Sequence, residues 1–84
     1  NFHFGYLIDP NSAEERTKAE AMNHTLVARA LSMGGTCTGE HGVGIHKMGF
    51  LLDETGTGAV DMMRAIKRAL DPKNILNPGK IFAL

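Results

Sequence analysis

One stretch decides how this sequence is understood: Thr36-Cys37-Thr38-Gly39-Glu40-His41-Gly42-Val43-Gly44. A carboxylate and an imidazole stand side by side in it, flanked by glycines. Glycine allows positive φ and a close approach to the main chain, and packed helices and strands do not favour such a density of glycine. The pattern is typical of a loop that holds a planar ligand or a metal ion against the backbone. The alternative is a surface loop with two solvated polar residues, and the motif leaves both interpretations open.

Length and composition limit the chain to one small domain. Its 84 residues form a modest core that buries about 60–65% of the unfolded surface. Nine basic and nine acidic residues give zero net charge, which argues against a nucleic-acid platform or a basic membrane patch. No apolar run is long enough to span a bilayer. The single cysteine, Cys37, excludes an internal disulfide and is typical of a small buried hydrophobe.

On the N-terminal side of the central stretch, residues 1–9 predict a strand that ends at Asp9-Pro10. Alternation places His3 on the face opposite the aromatic side chains of Phe2, Phe4 and Tyr6. Residues 36–38 can form a second short strand beside the first, giving an α+β class. That pairing would bring Glu40 and His41 close to His3. An ordinary hydrogen-bonded strand histidine is the alternative for His3.

An amphipathic helix is predicted between these two strands. Asn11 is the expected N-cap, with Glu14 at the capping-box spacing. The pair Gly34-Gly35 is the expected C-terminal stop. Its apolar stripe has a period of about 3.6 residues and consists of Ala19, Met22, Leu26, Ala30 and Met33.

Beyond the central stretch, a short weak helix is expected over residues 45–54, broken near Gly49. A turn over 55–58 leads to a second clear amphipathic helix over 57–70. Asp71-Pro72 ends that helix, because the residue before proline avoids the α region.

The C-terminal segment contains Asn77-Pro78-Gly79, which has the sequence of a type II turn. Such a turn would hold the Asn77 amide in a fixed orientation, or it is an ordinary surface turn. No Walker loop, Rossmann fingerprint, zinc finger or nucleophile elbow is present. The chain opens on Asn1 without an initiator Met, so we expect it to be a piece of a longer protein.

Three stretches in this order resemble one family. Residues 1–3 resemble the end of a Gly-Asp-Gly-Asn-Phe-His motif, residues 35–44 with Lys47 resemble a second motif, and residues 70–82 resemble a C-terminal signature. They are similar to the C-terminal domain of FAD-linked oxidases that act on D-2-hydroxy acids. Within that family, the likeness is greatest to enzymes that oxidise D-lactate and pass electrons to a cytochrome. The resemblance covers residues 1–84 and implies the C-terminal portion of a cap domain, without the FAD-binding domain.

The resemblance also implies roles for particular residues. His3 and Glu40 would be ligands of a divalent metal, Zn or Mn, in the intact enzyme; a further histidine ligand of the family would precede Asn1. His41 would be the general base that takes the substrate's hydroxyl proton. Asn77 would hydrogen-bond near the flavin. D-2-Hydroxyglutarate dehydrogenases have an asparagine where this chain has Gly5, which favours lactate or glycolate as substrate.

The resemblance further implies a small 2-hydroxy acid as substrate and cytochrome c or a quinone as electron acceptor. We expect the isolated fragment to be inactive and to self-associate through exposed apolar faces. A bacterial parent enzyme, cytoplasmic or peripheral at the inner membrane, is the expected setting. A free-standing α+β module for assembly or binding, without chemistry, is the alternative function.

Overall fold

The computed structural model describes residues 3–84. Within them lie two helices, α1 (Ala13–Ser32) and α2 (Met48–Leu70). The chain divides into two compact units, one ending at Gly39 and the other running from Glu40 to Leu84. α1 belongs to the first unit and α2 to the second. No helix in the described part of the chain combines the length and the apolar character needed to cross a membrane.

The predicted short strands are not present in residues 3–84, so the α+β class is not confirmed. Asn1 and Phe2, the start of the predicted first strand, lie outside the described residues. A strand needs a neighbour for its backbone hydrogen bonds, and two short segments alone form a marginal sheet. The local alternation is nevertheless retained, because the rings of Phe4 and Tyr6 pack edge to face with centroids 5.1 Å apart.

α1 begins one residue later than the sequence predicts. Ser12, not Asn11, is the N-cap, and its hydroxyl accepts a hydrogen bond from the Glu15 N–H at 3.2 Å. Asn11 instead closes a tight turn, since its N–H donates to the Asp9 carboxylate at 2.9 Å. The Glu15 carboxylate accepts from the Asp9 N–H at 2.6 Å. The cap is therefore a serine–glutamate pair one residue C-terminal to the predicted pair, with the same spacing.

The predicted stop at Gly34-Gly35 is confirmed and has the geometry of a Schellman motif. Gly34 has φ +77°, and its N–H donates to the Leu31 carbonyl at 3.1 Å, while the Gly35 N–H donates to the Ala30 carbonyl at 2.8 Å. A Cβ at Gly35 would lie 2.9 Å from the Ala30 oxygen. The two glycines are thus required for different reasons, backbone conformation at 34 and space at 35.

The predicted apolar stripe of α1 is only partly buried within its unit. Val27, beside the stripe, is the buried residue of the helix, whereas Met22, Leu26 and Met33 are exposed. Cys37, just after the helix, is buried as predicted. The first unit therefore leaves most of its apolar helical surface uncovered.

The break predicted near Gly49 is not present in the second unit, whereas the turn predicted over 55–58 coincides with a kink. Gly49 lies inside α2, and the break is at Gly56, which has φ 79° and ψ 168°. Glycine tolerates this conformation, so two helical segments, 48–55 and 57–70, meet there. The predicted turn over 55–58 is reduced to this kink. Phe50 and Val60, one from each segment, are buried.

Candidate functional site

The loop that carries Glu40 and His41 begins the second unit. Gly42 has φ +74° and Gly44 has φ +56°, as expected for a loop built around glycine. An added Cβ would meet no atom within 4 Å at either position, so these glycines are required for their conformation and not for internal space. The open side of the loop leaves its main chain accessible to another molecule.

Glu40 and His41 present their side chains together. The His41 Nε2 and Glu40 Oε1 atoms are 3.9 Å apart, and the two side chains are 73% and 56% exposed. This distance exceeds a hydrogen bond and allows an ion pair when the imidazole is protonated. An exposed carboxylate and imidazole can together bind a cation or handle a proton of a bound ligand.

The C-terminal segment that carries Asn77 has an unusual backbone. Gly79 has φ +71°, as the predicted turn requires, and three non-glycine residues are also left-handed, Asn74 at +51°, Asn77 at +45° and Ile81 at +72°. Asparagine visits this region readily, whereas a β-branched residue does so rarely. The Ile81 N–H donates a 2.7 Å hydrogen bond to the Gly44 carbonyl. The segment is therefore joined to the end of the Glu40–His41 loop within one unit.

An ion pair between a buried aspartate and a partly buried lysine precedes the Asn77 turn. Asp71 is 6% exposed, and its two carboxylate oxygens accept from the N–H groups of Ile75 and Leu76 at 3.0 and 2.9 Å. The Lys67 ammonium donates to the same carboxylate and to the Leu76 carbonyl. We call this arrangement the Lys67–Asp71 clasp. The hydrogen bond from Lys67, then those from Leu76 and Ile75, lower the pKa of Asp71 against the opposing effect of burial.

Sequence reasoning missed the clasp. The sequence pattern placed Asp71 only at the end of the helix and gave it no side-chain partner. A signal was available, because an acidic residue at a helix C-terminus is unfavourable and a lysine four residues earlier can compensate it. The pair therefore indicated a specific structural role.

The predicted site residues are divided between the units. His3 lies in the first unit and is exposed, while Glu40, His41 and Asn77 lie in the second and are exposed as well. The grouping of His3 with Glu40 stays a prediction. So do the catalytic role of His41 and the flavin contact of Asn77.

Comparison with known proteins identifies the family. Residues 1–81 match the family described as FAD linked oxidases, C-terminal domain. The chain belongs to this family. The resemblance predicted from three sequence stretches is confirmed, and with it the assignment to flavin-linked oxidoreductases.

The family members most similar to the chain include D-lactate dehydrogenases. The mitochondrial D-lactate dehydrogenase [cytochrome] of Arabidopsis thaliana is 54% identical over 81 residues, 96% of this chain and 14% of the relative. D-lactate dehydrogenase [cytochrome] 1 of Saccharomyces cerevisiae is 50% identical over 82 residues, 98% of this chain and 14% of the relative. Glycolate oxidase subunit GlcD of Bacillus subtilis is 41% identical over 83 residues, 99% of this chain and 18% of the relative. The chain thus spans less than a fifth of the length of these relatives.

These relatives correct the expected setting. A bacterial enzyme in the cytoplasm or at the inner membrane was expected, but the D-lactate dehydrogenases of Arabidopsis thaliana, Kluyveromyces lactis and Saccharomyces cerevisiae are all named as mitochondrial. The expectation is therefore wrong.

Proposed function

We propose that this chain is the C-terminal, substrate-facing part of a mitochondrial FAD-dependent dehydrogenase that oxidises D-lactate to pyruvate and passes electrons to a cytochrome. One observation carries the proposal: the loop with Glu40 and His41 and the segment with Asn77 are joined by the Ile81–Gly44 hydrogen bond. The unit therefore offers an acid, an imidazole and an amide from two linked, irregular segments. The relatives' names and the family support the choice of substrate and cofactor.

The residues of the second unit fit a flavin and its substrate. Glycines at 42 and 44 in left-handed conformations leave the loop open on the side where a Cβ would point, which suits a planar ring system. The exposed Asn77 amide can donate and accept hydrogen bonds, and polar groups of the isoalloxazine ring require both. FAD, when bound, supplies the acceptor for the hydride from the substrate carbon.

His41 has the chemistry of the general base. Oxidation of D-lactate removes a hydride from the carbon and a proton from its hydroxyl group. An exposed imidazole at 41 can accept that proton, and the carboxylate of Glu40, 3.9 Å away, stabilises the imidazolium that results. The carboxylate of Glu40 also suits a divalent metal, which would supply a positive charge that favours loss of the hydroxyl proton.

The test measures flavin reduction by D-lactate in the full-length protein, as loss of the visible absorbance of the flavin. We expect His41→Ala to slow reduction about 100-fold or more, because general acid–base catalysis contributes at least that factor. Glu40→Ala should slow it and should also lower the content of bound divalent metal.

His46→Ala is the matched control, because His46 is another exposed histidine of the same unit with no proposed role. Its rate should equal that of the unmodified protein. Unchanged rates in both His41→Ala and Glu40→Ala would remove these residues from the mechanism. The rates of flavin reduction by D-lactate, glycolate and D-2-hydroxyglutarate are then compared to assign the substrate. A faster rate with glycolate than with D-lactate would make glycolate the proposed substrate.

A further inference from the structure

The backbone of the Asn77 turn has a conformation that its residue types do not favour by themselves. Asn77 precedes a proline and has φ +45°, and Ile81 follows with φ +72°. Asparagine by itself adopts this region readily, but the residue before a proline is biased toward extended backbone, and a β-branched residue such as Ile81 is left-handed only where surrounding contacts fix it. Since Asn77 is exposed, side-chain packing does not fix its position. The contacts that do so must lie before and after the turn.

The contact after the turn is the Ile81–Gly44 hydrogen bond, and the contacts before it are those of the clasp. Asp71 binds the N–H groups of Ile75 and Leu76, and Lys67 binds the Leu76 carbonyl. Both polar groups of Leu76, the residue immediately before Asn77, are therefore held from the end of α2. The Asn74 N–H also donates to the Asp71 carbonyl at 3.0 Å, which closes the first turn after the helix.

The clasp differs from an ordinary surface ion pair in how little of its side chains is exposed. The side chains of Lys67 and Asp71 are 20% and 5% exposed. Lys18 and Glu14 form a pair of the same spacing in α1, with side chains 70% and 78% exposed. Exposed pairs of this kind contribute little, whereas a buried, hydrogen-bonded pair fixes its neighbours in one geometry.

We propose that Lys67 and Asp71 are positioning residues for the oxidation reaction, which hold the backbone of residues 74–76 so that the Asn77 amide meets the flavin in one orientation. This rests on the proposed role of Asn77 at the flavin. Neither residue touches the substrate or the flavin in this proposal. They act through the main chain of Leu76.

The test is a double-mutant cycle in the full-length, FAD-loaded protein, measured as the rate of flavin reduction by D-lactate. Asp71→Asn keeps the size of the side chain and removes its charge. We expect it to slow reduction about tenfold to 100-fold, the scale of a small misplacement of a positioned group. In the Asn77→Ala background, the same change should alter the rate less than about twofold, because coupled residues are not additive.

Two further measurements exclude a general loss of folding. The flavin absorption spectrum of Asp71→Asn should shift in the same direction as that of Asn77→Ala. Hydrogen exchange should become faster at the amides of Ile75 and Leu76 while α1 is unchanged. Lys67→Met is the second variant and should reproduce these effects. Lys67→Arg, which keeps the positive charge, should react faster than Lys67→Met. Lys18→Met is the matched control and should leave the rate, the spectrum and the hydrogen exchange unchanged.

The positioning role would be overturned if Asp71→Asn slowed flavin reduction by the same factor in the unmodified protein and in the Asn77→Ala variant. An unchanged rate in Asp71→Asn would overturn it as well. Failure of the proposed function is a different result, because the unmodified protein would then show no flavin reduction by any 2-hydroxy acid. An active protein in which Asn77→Ala is neutral would overturn the positioning role and leave the oxidation itself supported.

Discussion

At the scale of single residues, Asp71 shows how a locally unfavourable choice is compensated. A carboxylate at the C-terminus of α2 faces the negative end of the helix dipole. Lys67, one turn earlier, donates to it, and two backbone N–H groups each donate to one of its oxygens. The result is a charged group that can be buried because every partner is supplied by the next five residues of the chain or by the helix itself.

The lowered pKa of Asp71 predicts a pH-dependent contribution to stability. A carboxyl group whose pKa is lower in the folded than in the unfolded chain stabilises the fold above the unfolded value of about 3.9. That contribution is lost as the pH falls through the folded value. We therefore expect Asp71→Asn to be less stable than the unmodified protein near neutral pH, and the gap in melting temperature to close below roughly pH 4.

Asp61→Asn is the control for this titration. Asp61 pairs with Arg64 at 2.8 Å, but its side chain is 68% exposed, so solvent screens the pair. Thermal unfolding, followed by circular dichroism at a series of pH values, should show a small gap for this variant at every pH. A gap for Asp71→Asn that stays constant down to the lowest pH would contradict the assignment.

At the scale of elements, the two glycines after α1 can be tested directly. Gly34→Ala places a Cβ on a residue with φ +77° and should destabilise the protein by about 1–2 kcal/mol. Gly35→Ala brings the new methyl group within 2.9 Å of the Ala30 carbonyl oxygen and should destabilise it as well. Both are measured as a lower midpoint of thermal unfolding.

Gly58→Ala is the matched control, because Gly58 lies within α2, has no positive φ and has open space around its Cα. Alanine there should be neutral or stabilise the helix by up to about 1 kcal/mol. A fall in midpoint for Gly58→Ala that equals that of Gly34→Ala would show that the effect is not specific to the left-handed position.

The elements also show which features the sequence determines. Both helices and the stop at Gly34-Gly35 were predictable, because capping, periodicity and glycine conformation are local effects. The break predicted near Gly49 is absent, because glycine within a helix is tolerated at a modest cost, whereas the observed kink at Gly56 lies within the turn predicted over 55–58. The strands were predicted from β-propensity, but a strand forms only where a partner strand lies beside it.

Some features of the candidate site could likewise be predicted from the sequence, and others could not. Glu40, His41 and the turn at Asn77 could be proposed from motif chemistry, because their residue types carry the signal. The Ile81–Gly44 hydrogen bond and the contacts of Leu76 with the clasp use main-chain groups. Every residue type except proline supplies both groups, so the sequence contains no pattern that indicates these contacts.

At the scale of the whole molecule, each unit leaves large apolar side chains uncovered. In α2, Met62, Ile66 and Leu70 follow one another at intervals of four residues and are 67%, 54% and 78% exposed. Residues at this spacing share one face of a helix. Contiguous apolar surface of this kind marks a site of contact with another protein surface, which other parts of a longer protein, or a second copy, would cover.

We therefore expect the isolated 84-residue chain to self-associate, because a second copy can cover this face when nothing else does. Light scattering over a concentration series should show a mass above that of the monomer, increasing with concentration. Ile66→Glu with Leu70→Glu should shift the chain toward monomer, because carboxylates on the apolar face are costly to bury. Arg68→Glu is the control, since it adds a carboxylate on the opposite side of the helix and should leave the mass unchanged. A chain that stays monomeric at high concentration would show that this face does not drive association.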